Sequence, residues 1–346
     1  MENYLKEPSK EDLRNLISEI LILDHICVKA HYNVDELIFS FLLAKYAKGD
    51  FSLSFTLDNC NVKLNATSQG KSISFKGREY FIGWSAFSSI FPISVDDIIP
   101  ILTGIFSSLE IERRGLTEFE RNIINDMVNL GVIIEKNLKL PNYKNLPLFF
   151  SITTSIDPYI PEMSGNREVT IKNLKEIGIN ETDKLEEIDE KKTNTLIFKL
   201  ITNILKINQK FTRDDLVTDR VYYLEYDSLE LALASLYFLD VKGIGDIFQL
   251  VITPNYAELL TSKYREEIGK GFKIGNIVEK GSYVIVESDL KSPLLLQLIL
   301  LQQGKTRKDK PVYVKSNDGV YTSRYFNPTS LKEGLIKVED ESINKG

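Results

Sequence analysis

"AHYNVDELIFSFLLAKYA", residues 30–47, follows the short apolar run "ICV" and decides how this chain is read. "HICVKA" reads as a short buried strand, and "DELIFSFLLAKYAKG" as a helix that ends near Gly49. "DFSLSFTLD" alternates apolar and polar residues, as a half-buried strand does. Strand, helix and strand make a βαβ unit, which points to an α/β fold with a parallel sheet. Upstream, Leu13, Leu16, Ile17, Ile20 and Leu21 recur at helical spacing behind Ser9, a residue suited to cap a helix. Open parallel sheets bind ligands beyond the carboxyl ends of their strands. His31, Asn33, Asp35 and Glu36 fall at that edge.

Size and composition bound what this edge can do. With 346 residues the chain has room for two domains, and 43% hydrophobic with 27% charged residues is ordinary globular composition. No stretch approaches the roughly 18 consecutive apolar residues of a membrane span. "MENYLKEPSKEDLRNLISEI" has no signal-peptide core, so a cytoplasmic protein is expected. Cys27 and Cys60 cannot build a disulfide framework or a four-thiolate zinc site, and are expected as core residues on adjacent strands. A net charge of −6 argues against wholesale coating of duplex DNA, although a local basic groove is compatible with it. His25 and His31 are the only histidines, so any imidazole chemistry must use that pair.

Further along, "GKSISFKGREYFIGW" reads as a hairpin around Lys76-Gly77, and "VDDIIPILTGIFSSLEIE" and "TEFERNIINDMVNLGVI" read as helices. "SIDPYIPEMSGN" is a proline-containing loop before a helix closed by Gly178, and "ETDKLEEIDEKKTN" is a solvated charged run. Residues 1–180 are assigned to a first domain, 181–210 to a helical connector and 211–346 to a smaller second α/β domain. In that second part "SLELALASLYFL" and "SPLLLQLILLQQG" read as helices. "GSYVIVESDL" reads as a strand, and "KPVYVKSNDGVYTSRYF" as a hairpin turning at Asn317-Asp318-Gly319. "VEDESINKG" reads as a frayed tail.

Two-metal phosphodiester hydrolysis needs several anionic ligands, usually with histidine, around two divalent ions. His31, Asp35 and Glu36 are the available donors here, whereas Asn33 offers a carbonyl without charge. The alternative is an ordinary polar strand-to-helix turn with Asn33 or Asp35 near the N-cap.

"VKAHYNVDELIFSFLLA" resembles motif I of the DHH phosphoesterase superfamily, the RecJ-like nucleases, which runs His-x-Asp-x-Asp-Gly into a helix. His31 and Asp35 match that motif, Asn33 replaces its first aspartate, and Glu36 replaces its glycine. "SIDPYIPEMSGNREVTIKNLKEIGI" resembles the end of the first domain in archaeal RecJ-like proteins. "TGIFSSLEIERRGLTEFERNIINDMVNLGVI" resembles the family's Gly-Ala-x-Gly-Asp segment, with Ser107 or Ser108 where a metal-binding aspartate is expected. "LALASLYFLDVKGIGD" and "SYVIVESDLKSPLLLQLILLQQGKTRKDKPVYVKSNDGVYTSRYF" resemble the DHH-associated second domain. These pieces occur in family order across most of the chain.

The family's Asp-His-His is absent, since Asp24-His25 is followed by Ile26 and precedes motif I. Asp58 is placed as a strand-end residue in preference to a motif II ligand. So few anions cannot hold two divalent cations, and neither a metal nor a cofactor is expected. The loss resembles the catalytically inactive RecJ-related branch of the Cdc forty-five type. That resemblance implies a scaffold role in archaeal DNA replication, with the GINS complex and the MCM helicase as partners.

Single-stranded DNA contact is expected at Lys305, Arg307, Lys308, Lys310, Lys315 and Arg324, which alternate with Tyr313, Tyr321 and Tyr325. The alternative for that stretch is a solvated loop. The family's Gly-Gly-His loop is missing, which argues against tight binding. Two other functions stay open: a residual metal-dependent single-strand exonuclease or phosphodiesterase, and a nucleotide sensor in the old cleft.

Overall fold

The computed structural model describes residues 9–338; the tail read as frayed lies outside them, apart from Val338. In chain order the first lobe contains α1 (Lys10–Leu21), β1 (His25–Lys29), α2 (Val34–Tyr46), β2 (Asp50–Ser54), β3 (Val62–Thr67), β4 (Gly70–Phe75), β5 (Arg78–Gly83), α3 (Ile98–Glu112) and α4 (Glu118–Val128). Ser9 caps α1, its side chain accepting from the Asp12 amide. The sheet order is β2-β1-β3-β4-β5, with β1 parallel to both neighbours and the β3-β4-β5 side antiparallel. The β4-β5 hairpin turns on Lys76 and Gly77, both at positive φ, the conformation that matches strand twist.

β6 (Val132–Leu138) leads into α5 (Leu148–Thr153), α6 (Arg167–Lys175), α7 (Glu190–Leu205) and α8 (Arg213–Leu216). β7 (Val217–Tyr223) then returns antiparallel to β6, with β8 (Tyr226–Asp227) at its side. The helices between β6 and β7 close around their own apolar cluster, which includes Leu148, Ile152, Leu174, Leu196, Leu200 and Ile204. The boundaries expected at residues 180 and 210 both fall inside this cluster. α9 (Ser228–Lys242) packs on α3 and shares the first lobe's core, as do α10 (Gly245–Ile252) and α11 (Tyr256–Gly269).

The last lobe holds β9 (Ile274–Glu279), β10 (Val284–Ser288), α12 (Pro293–Gln302), β11 (Val312–Ser316), β12 (Gly319–Ser323) and β13 (Leu335–Val338), in the sheet order β13-β12-β11-β10-β9. β10 and β11 are parallel and joined by α12, while β11 and β12 form the expected hairpin. Asp240 on α9 anchors α12. Its Oδ2 accepts from the Ser292 hydroxyl and the Leu294 amide, both at 2.7 Å.

Two readings are corrected. Cys27 and Cys60 do lie beside neighbouring strands, but they form a disulfide with Cα atoms 4.8 Å apart. The helix expected through Ile133 ends at Val128, because Gly131 takes a φ of +100° and Val132 starts an edge strand. β3, β6 and β7 went unread because each is short or mixes its apolar residues with charge.

Candidate functional site

The strand-to-helix turn of motif I sits in a cleft of about 460 Å³ between the first and last lobes. Asn33 is the N-cap of α2, its Oδ1 accepting from the Glu36 amide at 2.9 Å. The Glu36 carboxylate in turn accepts from the His31 amide at 2.6 Å and the Asn33 side-chain amide at 2.9 Å, and pairs with His31 Nδ1 at 2.9 Å. Its hydrogen bond to His31, reinforced by its charge, raises the imidazole's pKa above the ordinary value. Glu36, buried by these contacts, faces its own turn.

Asp35 points the other way, into the core. Its two oxygens accept from the Phe87 and Ser88 amides at 2.8 and 2.9 Å, at the start of a 3-10 turn. Gly104 on α3 permits this approach, since a Cβ there would lie 2.4 Å from Ser88 Oγ. Burial pushes the Asp35 pKa up to about 6, against the opposing pull of Lys71 and the two amides.

A buried cation sits beside Asp35. The Lys71 ammonium, from the start of β4, lies 2.5 Å from Glu112 Oε1, 3.0 Å from Ser108 Oγ and 3.7 Å from Asp35 Oδ2. Arg114 extends the network, its Nε reaching Glu112 at 2.7 Å and its terminal nitrogens gripping the fully buried Glu120 at 2.7 and 2.8 Å. Burial works against ionised Glu112, yet Lys71 and Arg114 hold its pKa below the usual range. Ser108, one of the two serines expected where the family has an aspartate, serves this network. Among the described residues, the neighbouring Ser107 hydroxyl has no hydrogen-bond partner.

These side chains do not suit a divalent metal. Asp35 and Glu36 are turned to separate amide partners, and the nearest further carboxylate, Glu112, already binds an ammonium. Among the described residues no group of three or more His, Cys, Asp or Glu side chains is placed to hold a metal ion. Asp58 is exposed and ion-paired with Lys29. Sequence reasoning missed Lys71, Glu112, Arg114 and Glu120. A lysine opening an otherwise small-residue strand is a faint signal, and nothing local announces its partners.

The six basic residues of the 305–324 stretch do not form one surface. Lys305 and Arg307 are exposed in the loop after α12, with Asp309 3.5 Å from Arg307. Lys308 reaches across the cleft to the Glu112 carbonyl. Lys315 on β11 pairs with Glu287 at 3.0 Å. Lys310 and Arg324 are buried: Lys310 binds Glu279, and Arg324 binds Glu333 while lying over the rings of Tyr32 and Phe55. The Tyr32 hydroxyl donates to Glu333 at 2.9 Å, so motif I itself is tied to the last lobe.

Residues 1–341 match the family described as Archaeal Cdc45. The chain belongs to the archaeal Cdc45 family. The backbone resembles the crystal structure of CDC45 from Entamoeba histolytica with a TM-score of 0.55 at 11% identity, covering 93% of this chain and 89% of that one. At that identity the likeness concerns the fold, which is RecJ-like, as motif I and the lobe order led one to expect. No curated protein sequence matches the chain. Membership in the archaeal Cdc45 family makes this a replication-associated, RecJ-like protein. Among the described residues no helix is long and apolar enough to cross a membrane.

Proposed function

We propose that this chain is a nuclease-dead RecJ-like scaffold of the archaeal replication machinery, binding the GINS complex and, through that assembly, supporting the MCM helicase on the chromosome. The observation that carries this reading is the Lys71 ammonium seated between Asp35 and Glu112. Buried Asp35 beside a partly exposed Glu112 needs a cation nearby, and here the chain supplies its own. The motif I helix is thereby kept in place without a catalytic ion, and the fold is retained for its surfaces.

Co-purification of the full chain with recombinant GINS in a stable complex, together with no manganese-dependent release of nucleotides from single-stranded DNA, is the expected result. Nucleotide release that disappears in Asp35→Ala would instead establish the residual-exonuclease reading. Weak single-strand contact is assigned to Lys305, Arg307, Lys308 and Lys315, since Lys310 and Arg324 face inward. Reversing Lys305 and Arg307 to glutamate should abolish any retention of a labelled oligonucleotide at low salt. Retention unchanged by that reversal would remove the assignment.

A further inference from the structure

A larger cavity, of about 670 Å³, lies on the far side of α3 from motif I, where the first lobe, the helical cluster and α12 meet. Its volume falls within the roughly 300–1,000 Å³ typical of small-molecule sites. Four ionisable side chains form one wall. Lys139 lies 2.9 Å from Glu110 and also 2.5 Å from Asp157, while Arg113 reaches Asp157 at 2.7 Å. Asp157 thus meets both cations, sharing Lys139 with Glu110; burial works against its charge, yet Lys139 and Arg113 hold its pKa far below the usual range.

Glu110 is left short. It is 5% exposed, and among the described residues its Oε2 has no hydrogen-bond partner. Burial and the neighbouring Asp157 carboxylate push its pKa up, against the pull of Lys139. Arg113, the residue that ends α3, holds a left-handed backbone with φ +49°, a conformation that a non-glycine residue adopts at some cost and that is enriched at functional sites. Its Nη1 pairs with Asp157.

The other walls narrow the chemistry. Arg121 and Lys210 are exposed at the rim, and neither has an ion-pair partner among the described residues. Phe211 and Leu116 supply a half-buried apolar face. Asp214 and Asp219, also exposed at the rim, can accept hydrogen bonds that an oxyanion alone cannot give.

We propose that this cavity binds a nucleoside monophosphate. The phosphate meets Arg113, Arg121 and Lys210, the base lies on Phe211, and Asp214 and Asp219 receive the hydroxyl and amino donors. Charge-assisted contacts hold the phosphate, and ring stacking discriminates a nucleotide from free phosphate. A ligand there touches all three parts of the chain, so its binding stabilises their mutual arrangement.

The test is calorimetric titration of the full-length protein with AMP, alongside inorganic phosphate and adenosine. AMP should saturate and bind more tightly than either fragment. Exchanging both rim cations, Arg121→Ser with Lys210→Ser, should weaken AMP by about tenfold, and both side chains are exposed, so the fold tolerates the change. Phe211→Leu keeps the core packing and should weaken AMP by about fivefold while leaving phosphate unchanged. Absence of saturable AMP binding up to about 10 mM would overturn the assignment. So would an affinity unmoved by the rim pair, which would place the nucleotide elsewhere, such as in the motif I cleft.

Discussion

The two faces of α3 have been treated in opposite ways. On the motif I side, Asp35, Glu36, Glu112 and Glu120 are each met by an amide, an ammonium or a guanidinium from the same chain. On the other side, among the described residues, Glu110 keeps an oxygen without a hydrogen-bond partner, and Arg121 and Lys210 have no ion-pair partner at the mouth of a larger cavity. The difference shows that an inherited cleft is not automatically the part of a molecule still open to ligands. A site is closed when its charges are satisfied internally, whatever its volume.

The largest expected effect is at Lys71. Lys71→Met removes the cation beside buried Asp35 and should cost about 3–5 kcal/mol in chemical denaturation, because Asp35 then lacks a counter-charge while Glu112 keeps only Arg114. Millimolar manganese should return part of that loss in the variant and do nothing for the parent chain. Equal manganese responses would break the contrast between a filled and an open face.

A smaller effect concerns pH. Asp240 is buried with no cation beside it among the described residues, and burial pushes its pKa up to about 7, well above its ordinary 3.8. A raised folded-state pKa means that the native state holds the proton more tightly than the unfolded chain. Its contribution is therefore fully present below about pH 4 and is lost as pH rises towards 7. Glu110, whose pKa burial also raises, adds a slope of the same sign. Asp240→Asn should flatten the decline in melting temperature over this window by up to several degrees. An unchanged slope would place the penalty on other groups.

The smallest effect is at the contact that ties motif I to the last lobe. Tyr32→Phe removes the 2.9 Å hydrogen bond to Glu333 and should cost about 0.5–1.5 kcal/mol in urea unfolding. A null result would show that Arg324, stacked on Tyr32 and Phe55, suffices to hold the lobes together.

Much of this was visible in the residues themselves. The βαβ start, the Lys76-Gly77 and Asn317-Asp318 turns, and the cap on α2 follow from local patterns whose physics spans a few residues. β3, β6 and β7 were not visible, because their pairing partners lie far away and their own alternation is weak. The basic stretch misled in part: Lys310 and Arg324 look like their exposed neighbours in sequence, yet they turn inward to Glu279 and Glu333.

The sequence by itself determined that a neutral Asn33 stands where motif I carries an aspartate and that no histidine follows His31, because residue identity fixes charge. Only the tertiary structure decided what became of the carboxylates that remained. Lys71 lies 36 residues beyond Asp35 and Glu112 another 41 beyond that, and electrostatic pairing depends on distance in space, which chain separation does not report.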